Sequence, residues 1–152
     1  MNAAIVTRRA SEADLPIAAG LFDEYRQFYG QPSDYPLAAA FLHERFANGD
    51  SVVFLGIDPQ TGGGLGFAQL CPSFSSIAAR PIWILNDLFV ARSARRKGVG
   101  RALLDAARDH AIATGAAQLV LETAVTNREA QSLYVAYGFK RDDQFLIYEL
   151  GL

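Results

Sequence analysis

The chain has 152 residues, 51% of them hydrophobic, with a net charge of -2 and an isoelectric point of about 5.6. That length and apolar content fit one folded domain with a sizeable core and exclude a disordered chain. The acidic balance argues against a general nucleic-acid binder. No apolar run is long enough to span a membrane and the first ten residues lack a signal-peptide core, so a cytoplasmic protein is expected.

Cys71 is the only cysteine, which leaves neither a disulfide nor a thiolate zinc site within one chain, and no metal is expected. In chain order, IVTRRA at 5–10 predicts a first strand. Residues 11–30 predict a helix: Ser11 and Asp14 offer capping chemistry, and Leu15, Ala18, Ala19 and Phe22 follow helical spacing before Gly30 and Pro32 break it. A second helix over 36–47 carries Leu37, Phe41 and Leu42 and stops at Asn48 and Gly49. SVVFLGID (51–58) and LGFAQLCPSF (65–74) read as strands joined by the turn PQTGGG, and PIWILNDLFV (81–90) as a third strand of this run.

A helix over 98–114 follows, closed by Gly115, and then AQLVLETA (117–124) as a buried strand. TNREAQSLYVAYG (126–138) predicts a helix with a capping box from Thr126 and Glu129. FKRDDQFLIYEL (139–150) predicts two strands about a turn at 141–143. Hairpins come first and a strand–helix–strand crossover later, so the sheet is mixed and mostly antiparallel, with helices on its faces. No repeats, linkers or low-complexity tracts divide residues 1–152, and a single domain is expected.

Charge is concentrated at one turn. RSARRKGVGR, residues 92–101, holds five of the 14 Lys and Arg residues and two glycines, between a strand and a helix. A helix's first turn presents unpaired N–H groups with partial positive charge, and glycine lets a ligand approach them closely. With Arg95, Arg96, Lys97 and Arg101 beside Gly98 and Gly100, the turn suits a phosphate or pyrophosphate. It is not a Walker loop, because Lys97 precedes Gly98. It is not a dinucleotide fingerprint either, because Leu103 stands where a third glycine is needed.

RRKGVG resembles the R/Q-x-x-G-x-G/A signature of the Gcn5-related N-acetyltransferases (GNAT). LNDLFV resembles that family's fourth strand, and NREAQSLYVAYGF its second cofactor motif. The resemblance implies a sheet whose fourth and fifth strands splay apart, and acetyl-coenzyme A as cosubstrate. It implies that Arg95, Arg96, Lys97, Gly98, Val99, Gly100 and Arg101 cradle the pyrophosphate. Leu88, Phe89 and Val90 would offer backbone groups to the pantetheine arm, and one N–H there would face the acetyl carbonyl oxygen. Asn127 and Tyr134 match the second motif, Asn127 as a contact to the cofactor arm or as helix-entry chemistry alone. Tyr134 is expected to protonate the leaving thiolate.

The expected reaction is direct attack of a neutral amine on the thioester. Asn86 stands where relatives resembling polyamine acetyltransferases carry glutamate, so Asn86 could hold a water while Asp87, Glu122 or water alone serves as base. Strand alternation places Leu85, Asp87 and Phe89 on one face, unless a bulge re-aims them. In this fold the first two helices form the acceptor wall, and FDEYRQFYGQPSDYP packs Phe22, Tyr25, Phe28, Tyr29 and Tyr35 among Asp23, Glu24 and Asp34. Aromatic and acidic groups suit a cationic small-molecule amine, a polyamine or a basic amino acid. Alternatives are a protein or peptide amine acceptor, a non-catalytic acyl-coenzyme A sensor on the same fold, and a nucleic-acid binder using the basic turn. No G-x-S-x-G elbow supports a hydrolase, and His43 and His110 read as surface or packing residues. The apolar FLIYELGL offers a shared edge for a homodimer.

Overall fold

The structure is a computed structural model that describes residues 4–152. It comprises β1 (Val6–Arg9), α1 (Leu15–Phe28), α2 (Tyr35–Asn48), β2 (Val52–Ile57), β3 (Gly64–Ser75), β4 (Arg80–Val90), α3 (Val99–Ala113), β5 (Leu119–Leu121) and α4 (Arg128–Tyr137). Short 3-10 turns at Glu12–Asp14 and Arg92–Ala94 precede α1 and α3. The strands form one sheet in the order β1-β2-β3-β4-β5. Its first four strands pair antiparallel and β4 pairs with β5 parallel. The mixed, mostly antiparallel sheet expected from the sequence is therefore present. The chain divides into two compact units, one running to Glu122 and the other spanning Thr123–Leu152.

Local chemistry sets the helix ends. The Ser11 backbone N–H donates to Asp14 Oδ2 at 2.9 Å and Arg8 Nη1 donates to Asp14 Oδ1 at 2.7 Å, which pins the entry to α1. Asp34 Oδ1 accepts from the Leu37 N–H at 3.1 Å to cap α2, and Gly49, at φ 60°, ends it. Ala18, Ala19, Leu21 and Phe22 of α1 and Ala38 and Leu42 of α2 pack on Val53, Leu55, Phe67 and Phe89, forming the core on one sheet face. The apolar stripe of α3, with Leu103, Leu104 and Ala107 buried, covers the other face, where His110 lies between the Phe54 and Trp83 rings.

Glycines bring these layers close together. A Cβ on Gly56 or Gly66 would meet Val99 Cγ1 at 3.1 or 3.2 Å, and one on Gly66 would meet the Phe89 carbonyl oxygen at 2.5 Å. Val99 is buried against both, so the first turn of α3 is anchored on the sheet at the end of β4.

Three expectations are corrected. The strand expected over 117–124 shortens to Leu119–Leu121. The α4 cap is Asn127, whose Oδ1 accepts from the Ala130 N–H at 3.2 Å, rather than a Thr126–Glu129 box. Residues 139–152 form no strand, although Gln144 N–H donates to Asp142 Oδ1 at 2.8 Å, beside the expected turn. Strand propensity is a fit to a neighbouring strand, and no strand among the described residues pairs with this run. No helix among the described residues is long and apolar enough to cross a membrane, and no group of three or more His, Cys, Asp or Glu among them could hold a metal.

Candidate active site

The basic turn has a defined backbone shape. After the 3-10 turn at Arg92–Ala94, Arg95 is extended, Arg96 takes a left-handed φ of 61° and Gly98 one of 86°. A left-handed conformation at a non-glycine residue costs about 1–3 kcal/mol and persists only where the surrounding structure holds it. A turn that includes left-handed residues can gather successive N–H groups into an anion-binding concavity. The first bond of α3 runs from Ala102 N–H to the Gly98 carbonyl at 3.0 Å, so the amides of Val99, Gly100 and Arg101 precede the helical ladder. Val99 offers only its backbone, since its side chain is buried. Arg96 and Lys97 are exposed.

Arg95 is turned elsewhere. Its Nε donates to the Val90 carbonyl at 3.2 Å, and its guanidinium lies over the rings of Phe28 and Phe89 at 5.4 and 6.0 Å. It therefore buttresses the end of β4 and lines a cleft of about 530 Å³ with Glu24, Gln27, Phe28, Phe89 and Arg92. Of the aromatic residues expected at the acceptor wall, Phe28, Tyr29 and Tyr35 are exposed, whereas Phe22 belongs to the core and Tyr25 packs partly buried against it. Two of the three acidic residues are engaged. Asp23 accepts from Ser33 Oγ at 2.7 Å and from the Asp34 N–H at 2.8 Å, which holds its carboxyl below the usual range, and Asp34 caps α2. Glu24 alone of the three faces the cleft.

Strand β4 carries the second feature. Leu85 pairs with Leu70 and Asp87 with Gln69, so Asn86 is an extra residue, a β-bulge. Leu70 and Gln69 are consecutive and point to opposite faces, so Leu85 and Asp87 do too. Simple alternation, which put both on one face, fails at this point. Asp87 shares the α1 and α2 face with Phe89. There Ser51 Oγ donates to Gln69 Oε1 at 2.9 Å, and Gln69 Nε2 donates to Asp87 Oδ2 at 2.6 Å. Asn86 Nδ2 donates to the same oxygen at 3.2 Å. Gln69 is 2% and Asp87 6% exposed, so the carboxylate is held in a nearly dry polar chain. The neighbouring Cys71 thiol is pushed up by burial and then by the charge of Asp87.

Pairing of β4 with β5 ends at Leu85 and Leu121, and among the described residues no strand pairs with 86–90 on that edge. The expected splay therefore opens at the bulge and leads to the glycine turn. Glu122, just past β5, is exposed. In the second unit, Tyr134 is buried and packs its ring against Phe139 at 5.8 Å, while the Asn127 side chain is occupied as the α4 cap.

The sequence profile of the acetyltransferase (GNAT) family matches residues 18–139. The chain belongs to the GNAT acetyltransferase family. It is 46% identical over 145 residues to a Bacillus subtilis (strain 168) protein named as an uncharacterised N-acetyltransferase, YhfO, covering 95% of this chain and 96% of that one. A probable acetyltransferase of Haemophilus influenzae is 31% identical over 144 residues, again 95% and 96% of the two chains. A crystal structure of a probable acetyltransferase superposes with a TM-score of 0.91 at 38% identity, covering 97% of each chain. The protein is an acetyl-transferring enzyme of a family that uses acetyl-coenzyme A.

In this acetyltransferase the glycine turn, the open edge of β4 and Asp87 fall within one unit, as neighbouring stretches of a single strand and the turn after it. Ser51, Gln69 and Arg92 escaped the sequence-based list of site residues. Gln69 did carry a signal: it is a lone polar residue in the otherwise apolar strand LGFAQLC.

Proposed function

We propose that the enzyme transfers acetyl from acetyl-coenzyme A to the primary amine of a small molecule by direct attack within a ternary complex. The observation that carries this is the continuity of the open β4 edge, residues 86–90, with the left-handed turn at Arg96 and Gly98. An extended pantetheine arm can add to that edge as a strand would, and a pyrophosphate can meet the amides of residues 96–101. Acetyl-coenzyme A would supply the activated thioester. Arg96, Lys97 and Arg101 add charge to the cradle, Gly98 and Gly100 keep it open, and Leu88, Phe89 and Val90 give backbone groups to the arm. Arg95 holds the cradle's approach through Val90 rather than by direct charge. Asn127 caps α4 and presents that helix's first turn.

Asp87 is the proposed base. Both amide donors reach its Oδ2, which leaves Oδ1 to take the amine proton directly or through water. Asn86 directs the carboxylate rather than accepting a proton. A backbone N–H at 88–90 faces the thioester oxygen as it gains charge. Tyr134 returns a proton from its phenol hydroxyl to the departing thiolate.

The acceptor lies in the cleft against α1. An aminoglycoside N(6′)-acetyltransferase of Klebsiella aerogenes, 34% identical over 66% of this chain, supports a small-molecule amine. Glu24 would attract the ammonium group, with Phe28 and Phe89 as an apolar floor. Arg92 and Arg95 stand on the same lining and repel a polycation, so a basic amino acid, which carries a carboxylate, fits better than a polyamine. Residues 1–152 act as one catalytic domain in the cytoplasm.

The test pairs binding with turnover. Acetyl-coenzyme A at roughly 100 times its dissociation constant should stabilise the protein by about 2.7 kcal/mol, with ATP and phosphate far less effective, and amines should release free thiol. Equal stabilisation by ATP would remove the cofactor assignment. Binding without thiol release across a broad amine panel would make the protein a sensor instead.

A further inference from the structure

The acceptor cleft holds a carboxylate and a guanidinium on one lining. Glu24, Gln27 and Phe28 lie on one face of α1, while Phe89, Arg92 and Arg95 come from the end of β4 and the turn after it. Arg95 is committed to the Val90 carbonyl and to the Phe28 and Phe89 rings. Among the described residues no hydrogen bond or ion pair holds the side chain of Glu24 or Arg92, and both residues are exposed. An acid and a base presented together match a ligand end that carries an ammonium beside a carboxylate, the head of a free amino acid. From there an apolar floor leads toward the bulge. Phe89 and Asp87 share a face of β4 and lie two residues apart, about 7 Å along the strand. A short methylene chain covers such a distance and loses no polar contact on aromatic rings.

We propose that the acceptor is a free diamino acid of the lysine or ornithine type, and that its side-chain amine, not its α-amine, receives the acetyl group. This rests on the small-molecule acetyl transfer proposed above and adds which end of the acceptor reacts. The α-carboxylate binds Arg92 and the α-ammonium binds Glu24. With a pyrophosphate at the glycine turn, the pantetheine arm runs back along β4 from 90 to 86 and brings the thioester to the bulge. The head group at Arg92 therefore sits at the wrong end of this segment to react, and only the far amine reaches Asp87. The methylene chain lies on Phe28 and Phe89. The neutral side-chain amine forms the C–N bond with the acetyl carbon as the C–S bond breaks. Its proton goes to Asp87, and the thiolate takes up a proton as proposed above. A polyamine lacks the carboxylate that Arg92 receives, and an amino acid with an apolar side chain lacks the amine that reaches Asp87.

The test uses the full chain with acetyl-coenzyme A and amines that each lack one group of lysine. Cadaverine lacks the carboxylate, aminocaproate the α-amine and norleucine the side-chain amine. Lysine or ornithine should release free thiol, and fragmentation in the mass spectrometer should place the acetyl group on the side-chain nitrogen. Cadaverine and aminocaproate should fall roughly tenfold or more in kcat/KM, as for a lost bond to a charged group, and norleucine should not react. Arg92→Gln should narrow lysine's lead over cadaverine, and Glu24→Gln its lead over aminocaproate, whereas a merely structural role would lower all substrates together. Stabilisation of both variants by acetyl-coenzyme A checks that they stay folded. Acetylation of the α-nitrogen, reaction of norleucine, or cadaverine equal to lysine would overturn the proposal. Transfer only to amines outside this set would overturn it too and leave the broader small-molecule reading standing. Thiol release with no amine at all would remove both.

Discussion

Gln69 donates its side-chain N–H to Asp87 Oδ2 at 2.6 Å from the neighbouring strand, and both residues are buried on the face that α1 and α2 cover. The bond fixes which carboxylate oxygen remains available. Gln69→Met keeps the volume but removes the donor, so it should lower kcat roughly tenfold or more, as expected for a lost bond to a charged group. The affinity for acetyl-coenzyme A should hold. If Gln69 acts through Asp87, adding Gln69→Met to Asp87→Asn should cost little more than Asp87→Asn alone. Fully additive losses would reduce Gln69 to a packing role.

Gly66 should resist substitution more strongly than Gly56. A methyl at 66 collides with the Phe89 carbonyl at 2.5 Å, a backbone atom, whereas one at 56 presses mainly on the Val99 methyl at 3.1 Å. Gly66→Ala should cost about 1–3 kcal/mol as β3 and β4 are forced apart, and Gly56→Ala should cost less. Denaturant titration measures both, and a Gly66→Ala protein as stable as wild type would show that the strand contact is loose.

Tyr134→Phe keeps the ring that packs on Phe139 and removes only the hydroxyl. Single-turnover acetyl transfer should fall by about 10²–10⁴-fold, the usual contribution of a general acid, while calorimetric affinity for the cofactor stays near wild type. A matched fall in affinity would make the hydroxyl a binding group.

Much of this architecture was legible because local rules and tertiary packing agree. Asn48 and Gly49 ended α2 as expected, and Gly115, at φ 73°, ended α3. The glycine turn could be read in part: Gly98 marked a position open to a left-handed backbone, whereas the left-handed Arg96 carries no such local signal. Asp87 could not be placed on a face, because one bulged residue inverts strand alternation and the bulge depends on pairing with Gln69 and Leu70. Nor could Arg95, whose position depends on Phe28, far away in sequence. The run after Asp143 misled through propensity alone, because its strand needs a neighbour that a local pattern does not reveal.

Stability should depend on pH in two separate windows. His110 is held below its ordinary 6.5, first by burial and then by the charge of Arg9. The unfolded chain then binds that proton more readily than the folded one, so stability falls as pH drops below about 6.5. His110→Phe should flatten the fall of melting temperature below about pH 6.5. Asp14 is held below 3.8, chiefly by the Ser11 N–H, and its contribution is complete above that value and lost as pH falls through the lowered one. Asp14→Asn should therefore blunt the acid limb alone, and an unchanged upper window in the His110 variant would assign that window to another group.

The bulge at Asn86 makes β4 one residue longer than the ladder it fills. Deleting Asn86 would leave Leu85 opposite Leu70 and Asp87 opposite Gln69, with every other side chain still on its present face. What would change is the path of the main chain where β4 leaves β5. A shortened chain of this kind separates two quantities that point substitution mixes: the chemistry of one carboxylate, and the shape of the opening beside it.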